Sequence, residues 1–135
     1  MKRTATVTWK GSGKDGTGTL TTQSTAVKNA QYSYKSRFEN GVGTNPEELI
    51  AAAHAGCFAM KLSFVLQALG ITPESLDVQG EITLDGTITE SHLILKAKIP
   101  GITEEQFKAA AEDAKLNCPV SKVLNTKITL DASLV

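Results

Sequence analysis

Neither sign of charge is in excess in this chain: fourteen lysines and arginines are matched by fourteen aspartates and glutamates. That balance leaves no electrostatic footprint for a nucleic acid or an anionic membrane surface. A secretory signal is also lacking, because the basic start MKRTATVTWKG has no apolar run behind it. The longest apolar stretch is interrupted by His54, Lys61, Ser63 and Gln67, which argues against a membrane span. Repeats, linkers and low-complexity tracts are missing as well, and 135 residues fit one domain covering 1–135. The expectation is a cytoplasmic protein. Cysteine is scarce too, with only Cys57 and Cys118, and there is no C-x-x-C pair. In a reducing compartment two cysteines sixty-one positions apart are either bystanders or redox-active.

What is present reads as an α+β chain. TATVTWK (4–10) and the threonine-rich TLTTQST alternate as strands. The turn between them holds Gly11, Gly13 and Gly16 in dinucleotide-loop spacing, but a strand follows it where a phosphate-binding loop needs a helix. A hairpin is the better reading. YSYKSRF (32–38) alternates as a third strand, with Tyr32, Tyr34, Ser36 and Phe38 on one face and Ser33, Lys35 and Arg37 on the other. Asn45, Pro46 and Glu48 then mark the start of a helix running to Leu69, with Glu48 placed to reach back to the cap amide and Gly70 as the stop. Glu47 is left without a capping task. Two antiparallel strands follow, LDVQGEITLD and SHLILKAKI, joined by a polar loop around Asp85–Thr87. A helix capped by Thr103 and Gln106 runs through Leu116, a short helix follows Asn117-Cys118-Pro119, and KITLDASLV forms a last strand. Strands, helix, strands, helix, strand is an α+β order.

The central helix is apolar on every side from Leu49 to Leu69, so it has to be covered all round. One sheet covers one side. A second copy of the helix in a symmetric dimer covers the other, with Ala51, Ala52, Ala53, Ala55 and Gly56 permitting close approach. The alternative is a monomer in which the second helix closes over it.

The cysteines carry the chemistry only if one of them ionises, which requires nearby positive charge or a helix N-terminus. Cys57 lies well inside its helix, so side chains must activate it. Arg37 is the candidate cation, and Glu47 is the unassigned carboxylate to hold it. In one continuous helix Glu47 and Cys57 are about 15 Å apart along the axis. Either the helix breaks between them or Glu47 serves the Cys57 of a second subunit, the preferred option. Cys118, just before Pro119 and a short helix, has the better local electrostatics for a thiolate. Local reasoning therefore leaves open which sulfur attacks. His54, Cys118 and His92 also permit a metal site, without the close ligand spacing such sites show.

Taken together, RFENGVGTNPEELIAAAHAGCFAMKLS, NCPVSKVLNTKITLDASL and the early TVTWKG resemble the OsmC/Ohr family of osmotically inducible and organic hydroperoxide resistance proteins, and its OsmC branch in particular. The resemblance spans nearly the whole chain; Gly56, where alanine is common, is a small departure. It implies an intertwined homodimer, with antiparallel sheets wrapped around central helices. It implies a thiol-dependent hydroperoxide reductase active in oxidative or osmotic stress and needing no cofactor. Cys57 matches the attacking cysteine, Cys118 the resolving one, and Arg37 and Glu47 the family's ion pair. The implied partners are a hydroperoxide substrate and an external dithiol reductant, with lipoyl-bearing proteins as candidates. The competing readings are a non-enzymatic stress-related dimeric binding protein and a metal-binding protein, each with structural thiols.

Overall fold

The computed structural model describes residues Met1–Val135, which fall into two compact units, Met1–Leu49 and Ile50–Val135. In the first unit, β1 (Ala5–Lys10), β2 (Thr17–Thr22) and β3 (Ala30–Tyr32) form an antiparallel sheet in the order β1-β2-β3. Lys10 pairs with Thr17 across the glycine-rich turn, as the hairpin reading expects. Little of this sheet is buried: Leu20 is its core residue, and Val7 on β1 is half exposed.

The expected third strand over 32–38 is corrected. Only Ala30–Tyr32 is extended, and Tyr34–Phe38 is a helical turn, α1. Side-chain competition for the backbone explains the switch. Ser33 accepts from the Ser36 amide at 3.2 Å, and Ser36 Oγ in turn accepts from the Ser33 amide at 2.8 Å, a reciprocal cap that alternating polarity cannot reveal. Ser36 Oγ also donates to the Thr44 carbonyl at 2.8 Å, tying α1 to the segment that leads into the next helix.

That helix, α2 (Pro46–Ala68), starts in the first unit and continues in the second. Asn45 caps it by accepting from the Glu48 amide at 2.8 Å. Glu48 does not return to the cap amide as expected; its carboxylate accepts from the Thr44 hydroxyl at 2.6 Å. The C-terminus closes by a Schellman motif: Gly70, at φ +73°, donates to the Gln67 carbonyl and Ile71 to that of Leu66.

In the second unit, β4 (Ser75–Asp85), β5 (Thr87–Lys98) and β6 (Lys127–Leu134) form a sheet in that order. The β4–β5 turn is shorter than the expected loop, since Asp85 pairs with Thr87 across Gly86. The expectation of antiparallel sheets throughout is also corrected: β6 runs parallel to β5. The reason is the crossover made by α3 (Glu104–Asn117) and α4 (Pro119–Val123), which returns the chain to the end of the sheet where β5 begins. Thr103 and Gln106 form the expected capping box on α3.

The core lies on one face of this sheet. Leu93, Leu95 and Ala97 alternate inward from β5 and meet Phe58, Leu62 and Leu66 of α2 and Phe107, Ala110, Ala111 and Ala114 of α3. His54, Phe58, Leu62 and Leu66 recur every fourth residue, which puts them on one stripe of α2. By length and composition α2 could cross a membrane, yet within this chain that stripe packs into the sheet core. Its other side is uncovered: Met60 is 64 % and Phe64 60 % exposed, so α3 does not close over it as the monomer alternative requires.

Gly80 on β4 sets how closely α2 sits on the sheet, since a Cβ there would lie 2.6 Å from the Ala51 carbonyl oxygen. Gly80→Ala is expected to destabilise the protein by about 1–3 kcal/mol through enforced displacement of the helix. Denaturant unfolding monitored by circular dichroism measures the loss. An added Ala51→Gly change should not restore it, because the obstructing atom belongs to the backbone.

Candidate active site

The four residues singled out from the sequence assemble as two pairs, one in each unit. In the first, Arg37 on α1 donates from Nε and Nη2 to Glu47 Oε1 at 3.0 and 2.8 Å. The two-nitrogen geometry fits a planar guanidinium to a carboxylate. Phe38 lies under the guanidinium at 5.1 Å. Glu47 is nearly buried and Arg37 is 39 % exposed, so the carboxylate is fixed while the cation keeps one side available. The short strand and helical turn that replaced the expected third strand are what place Arg37 here.

In the second unit Cys57 and Cys118 are both free thiols, near enough for each to shift the other's ionisation. Cys57, on the flank of the buried stripe of α2, is partly exposed, whereas Cys118 is fully buried at the junction of α3 and α4. Their environments push them in opposite directions. Burial raises Cys57, and the Cys118 sulfur adds to that, against a bond from the Val120 amide and the charge of Lys61 one turn along the helix. Burial works against ionisation of Cys118 too, but donation from the Ser121 hydroxyl and amide, from Cys57 and from the Val120 amide outweighs it. Cys118 is held below the ordinary thiol value. The Ser121 amide and hydroxyl stand 3.3 and 3.4 Å from Cys118 Sγ, so the sulfur serves as the N-cap of α4. The local preference for a Cys118 thiolate drawn from the sequence thus has a structural basis.

Behind Cys118 lies a polar chain that the sequence reading did not assemble. His54 is fully buried on α2, with Nδ1 2.6 Å from Ser91 Oγ on β5 and Nε2 2.7 Å from Ser121 Oγ on α4. Both ring nitrogens are therefore engaged by hydroxyls. His92, the next residue along β5 from Ser91, bonds instead to Thr129 and Asp131 of β6. His54, Cys118 and His92 do not form a ligand cluster. Two of the missed residues had local signals, Lys61 four positions after Cys57 and Ser121 three after Cys118, the spacing of a cap and its third helical residue. Ser91 had none. The helix break considered between Glu47 and Cys57 does not occur, as α2 is continuous from Pro46 to Ala68.

Burial holds the His54 pKa below the ordinary histidine value of 6.5. Protonation in the unfolded chain then precedes protonation in the folded one. The contribution to stability is complete above that ordinary value and is lost as pH falls from it toward the lower folded value. Urea unfolding across this acidic range should show wild type losing stability more steeply than His54→Gln, the difference reaching about 1.4 kcal/mol per pH unit.

Comparisons with known proteins agree on one family. The sequence model described as OsmC-like protein matches residues 38–133. Peroxiredoxin OsmC of Escherichia coli (strain K12) is 44 % identical over 131 residues, which cover 93 % of this chain and 92 % of that protein. An organic hydroperoxide resistance protein of Xanthomonas axonopodis pv. citri is 26 % identical over 102 residues, covering 70 % of this chain and 68 % of that one. The crystal structure of the organic hydroperoxide resistance protein OhrB of Bacillus subtilis superposes with a TM-score of 0.74 at 24 % identity, over 96 % of this chain and 98 % of that one, a likeness of fold.

Proposed function

The chain belongs to the OsmC-like protein family, and from that premise we propose that it is a thiol-dependent peroxidase reducing organic hydroperoxides to alcohols. The observation that carries this reading is the closeness of two thiols sixty-one positions apart in the chain, each shifting the other's ionisation. Sulfurs that close need little movement to form a disulfide.

The reaction divides between them by exposure and by charge. Cys57 is the sulfur a substrate can reach, and it attacks the distal oxygen of R–O–O–H. The O–O bond breaks, R–O⁻ leaves and takes a proton, and Cys57 becomes a sulfenic acid. Cys118 then attacks the Cys57 sulfur, water leaves, and the disulfide closes before further oxidation. An external dithiol, with lipoyl-bearing proteins as the candidate class, restores both thiols by exchange. The low pKa of Cys118 suits it to be the leaving sulfur when the reductant attacks exposed Cys57.

Cys57 requires an activating cation, because its surroundings in the chain raise its pKa. The mutual influence of the two thiols offers a route: a guanidinium brought to Cys57 favours its thiolate and leaves the proton on Cys118. Arg37, oriented by Glu47, is the group assigned to this task, supplied across the seam of a homodimer. The dimer reading is supported by the uncovered Met60 and Phe64 of α2 and by a threonine-rich first sheet with little core of its own. Relatives named for peroxiredoxin activity and hydroperoxide resistance point the same way, to stress defence. We place the protein in the cytoplasm, where a dithiol reductant can recycle the disulfide.

The apolar surroundings of Cys57 on α2 favour alkyl or lipid hydroperoxides over hydrated hydrogen peroxide. Comparable rates with hydrogen peroxide and cumene hydroperoxide would count against that preference.

Treating reduced protein with one equivalent of cumene hydroperoxide should remove two hydrogens and link Cys57 to Cys118, as read by intact and peptide mass. Cys118→Ser should instead hold an oxygen adduct on Cys57. Unmodified cysteines alongside consumed peroxide would reject the mechanism. Arg37→Gln should lower kcat/KM by roughly a hundredfold to a thousandfold in steady-state assays, the usual effect of losing one charge-stabilising donor. An unchanged rate would remove Arg37 from the site.

A further inference from the structure

Cys118 has to change protonation during the cycle just proposed, and the inference below rests on that reading. When Cys57 is the thiolate, Cys118 keeps its proton. It must give that proton up before its sulfur can attack the Cys57 sulfenic acid. The polar atoms around it are few. The Val120 and Ser121 amides only donate, and Cys57 is itself the electrophile at that stage. The Ser121 hydroxyl alone can accept a proton and pass one on, and its oxygen lies 2.7 Å from His54 Nε2.

We propose that Ser91, His54 and Ser121 form a buried proton relay for the resolving sulfur, with Ser121 as the residue in contact and His54 as the positioning residue behind it. The proton inventory fits the geometry. A neutral imidazole engaged by two hydroxyls has one N–H and one bare nitrogen. In the structure the Ser121 hydroxyl donates to Cys118 Sγ; once Cys57 is the sulfenic acid, the relay has the Cys118 S–H turn to Ser121 Oγ, the Ser121 O–H turn to Nε2, and Nδ1–H donate to Ser91 Oγ. As Cys118 attacks, its proton moves to Ser121 and the Ser121 proton moves to Nε2. The Cys118 lone pair forms the S–S bond, the S–O bond of Cys57 breaks, and its electron pair leaves with hydroxide. Imidazolium in so dry a site is unfavourable once the thiolate is consumed, and its proton goes to the hydroxide. The sum is Cys57–SOH plus Cys118–SH giving the disulfide plus water.

Burial defines the relay as well as contact does. His54 and Ser91 are fully buried and Ser121 nearly so, and no buried side-chain polar atom is left without a partner. A histidine at this position solely for packing would be a costly choice, since an apolar side chain needs no hydroxyl at either end. The groups facing His54 are uncharged Ser91 from β5 and Ser121 from α4; the titratable neighbours of the chain it joins are Cys118 and, on α2 itself, Cys57. Burial is the one influence shifting His54, so no carboxylate or ammonium sets its titration.

The test separates the two chemical steps in single turnovers of full-length reduced protein with cumene hydroperoxide, quenched and read by mass. His54→Gln retains shape and hydrogen bonding but cannot take up a proton. It should form the Cys57 sulfenic acid at the wild-type rate and close the disulfide roughly tenfold or more slowly, within the range general acid–base assistance supplies. Its disulfide step should also lose the wild-type limb that titrates with His54, rising instead with pH as Cys118 deprotonates to solvent. Ser121→Ala should likewise slow disulfide closure relative to sulfenic-acid formation. Disulfide closure unchanged in rate and pH profile in folded His54→Gln would overturn the relay, and in folded Ser121→Ala would do so if the histidine variant fails to fold. A second arm needs no peroxide: in a Cys57→Ser background, ultraviolet titration of the Cys118 thiolate should move to higher pH on adding Ser121→Ala. No movement there overturns the relay. Wild-type protein that never forms a sulfenic acid, while this titration behaves as expected, would overturn the peroxidase reading and leave the hydrogen-bonded chain standing.

Discussion

Seating α2 on the second sheet is the constraint from which the thiol chemistry follows. Phe58, Leu62 and Leu66 are fully buried against Leu93 and Leu95 of β5, each contributing about 1.5–3 kcal/mol by removal from water. Gly80 lets the helix backbone approach β4 without obstruction at Ala51. The stripe fixes the rotation of the helix. His54, on the stripe, must then face the sheet, and Cys57, on its flank, keeps a path to solvent. A rotation of the helix by one position would bury the wrong residue.

Beside that fixed helix, α4 is a helix of five residues with an unusual cap. A serine or aspartate in place of Cys118 would cap α4 as well, but would present oxygen to Cys57. With sulfur there, the donors that satisfy the start of the helix also lower the pKa of a thiol. The two cysteines thus differ in kind. One is accessible and hard to ionise without an outside charge; the other is sealed and easily ionised. Such an asymmetry suits a dithiol cycle of the kind proposed, in which a nucleophile needs access and a leaving sulfur needs stability as a thiolate.

Much of this was legible in the chain. Residues 103–106 read correctly as a capping box, and Asn45, Pro46 and Gly70 marked both ends of α2, because caps are local chemistry over three or four residues. The failures were also local in appearance but not in cause. YSYKSRF alternates like a strand, yet the Ser33–Ser36 cap and the bond from Ser36 to the Thr44 carbonyl turn it into a helix. Glu48 was legible as a first-turn carboxylate but not as the partner of Thr44. The parallel pairing of β6 with β5 could not be read from either strand, since both directions present the same alternation.

The α+β class, the ends of α2, the capping box of α3 and the candidates Cys57, Cys118, Arg37 and Glu47 could be read from the chain alone, because they rest on periodicity, short-range hydrogen bonding or recognisable motifs. It took the folded chain to bring Cys57 near Cys118, to set His54 between Ser91 and Ser121, and to shift the two thiols in opposite directions. Those facts depend on side chains thirty-seven to sixty-seven positions apart meeting in a volume from which water is excluded. Dielectric environment and donor count at a sulfur are properties of that volume, and no local window of residues contains them.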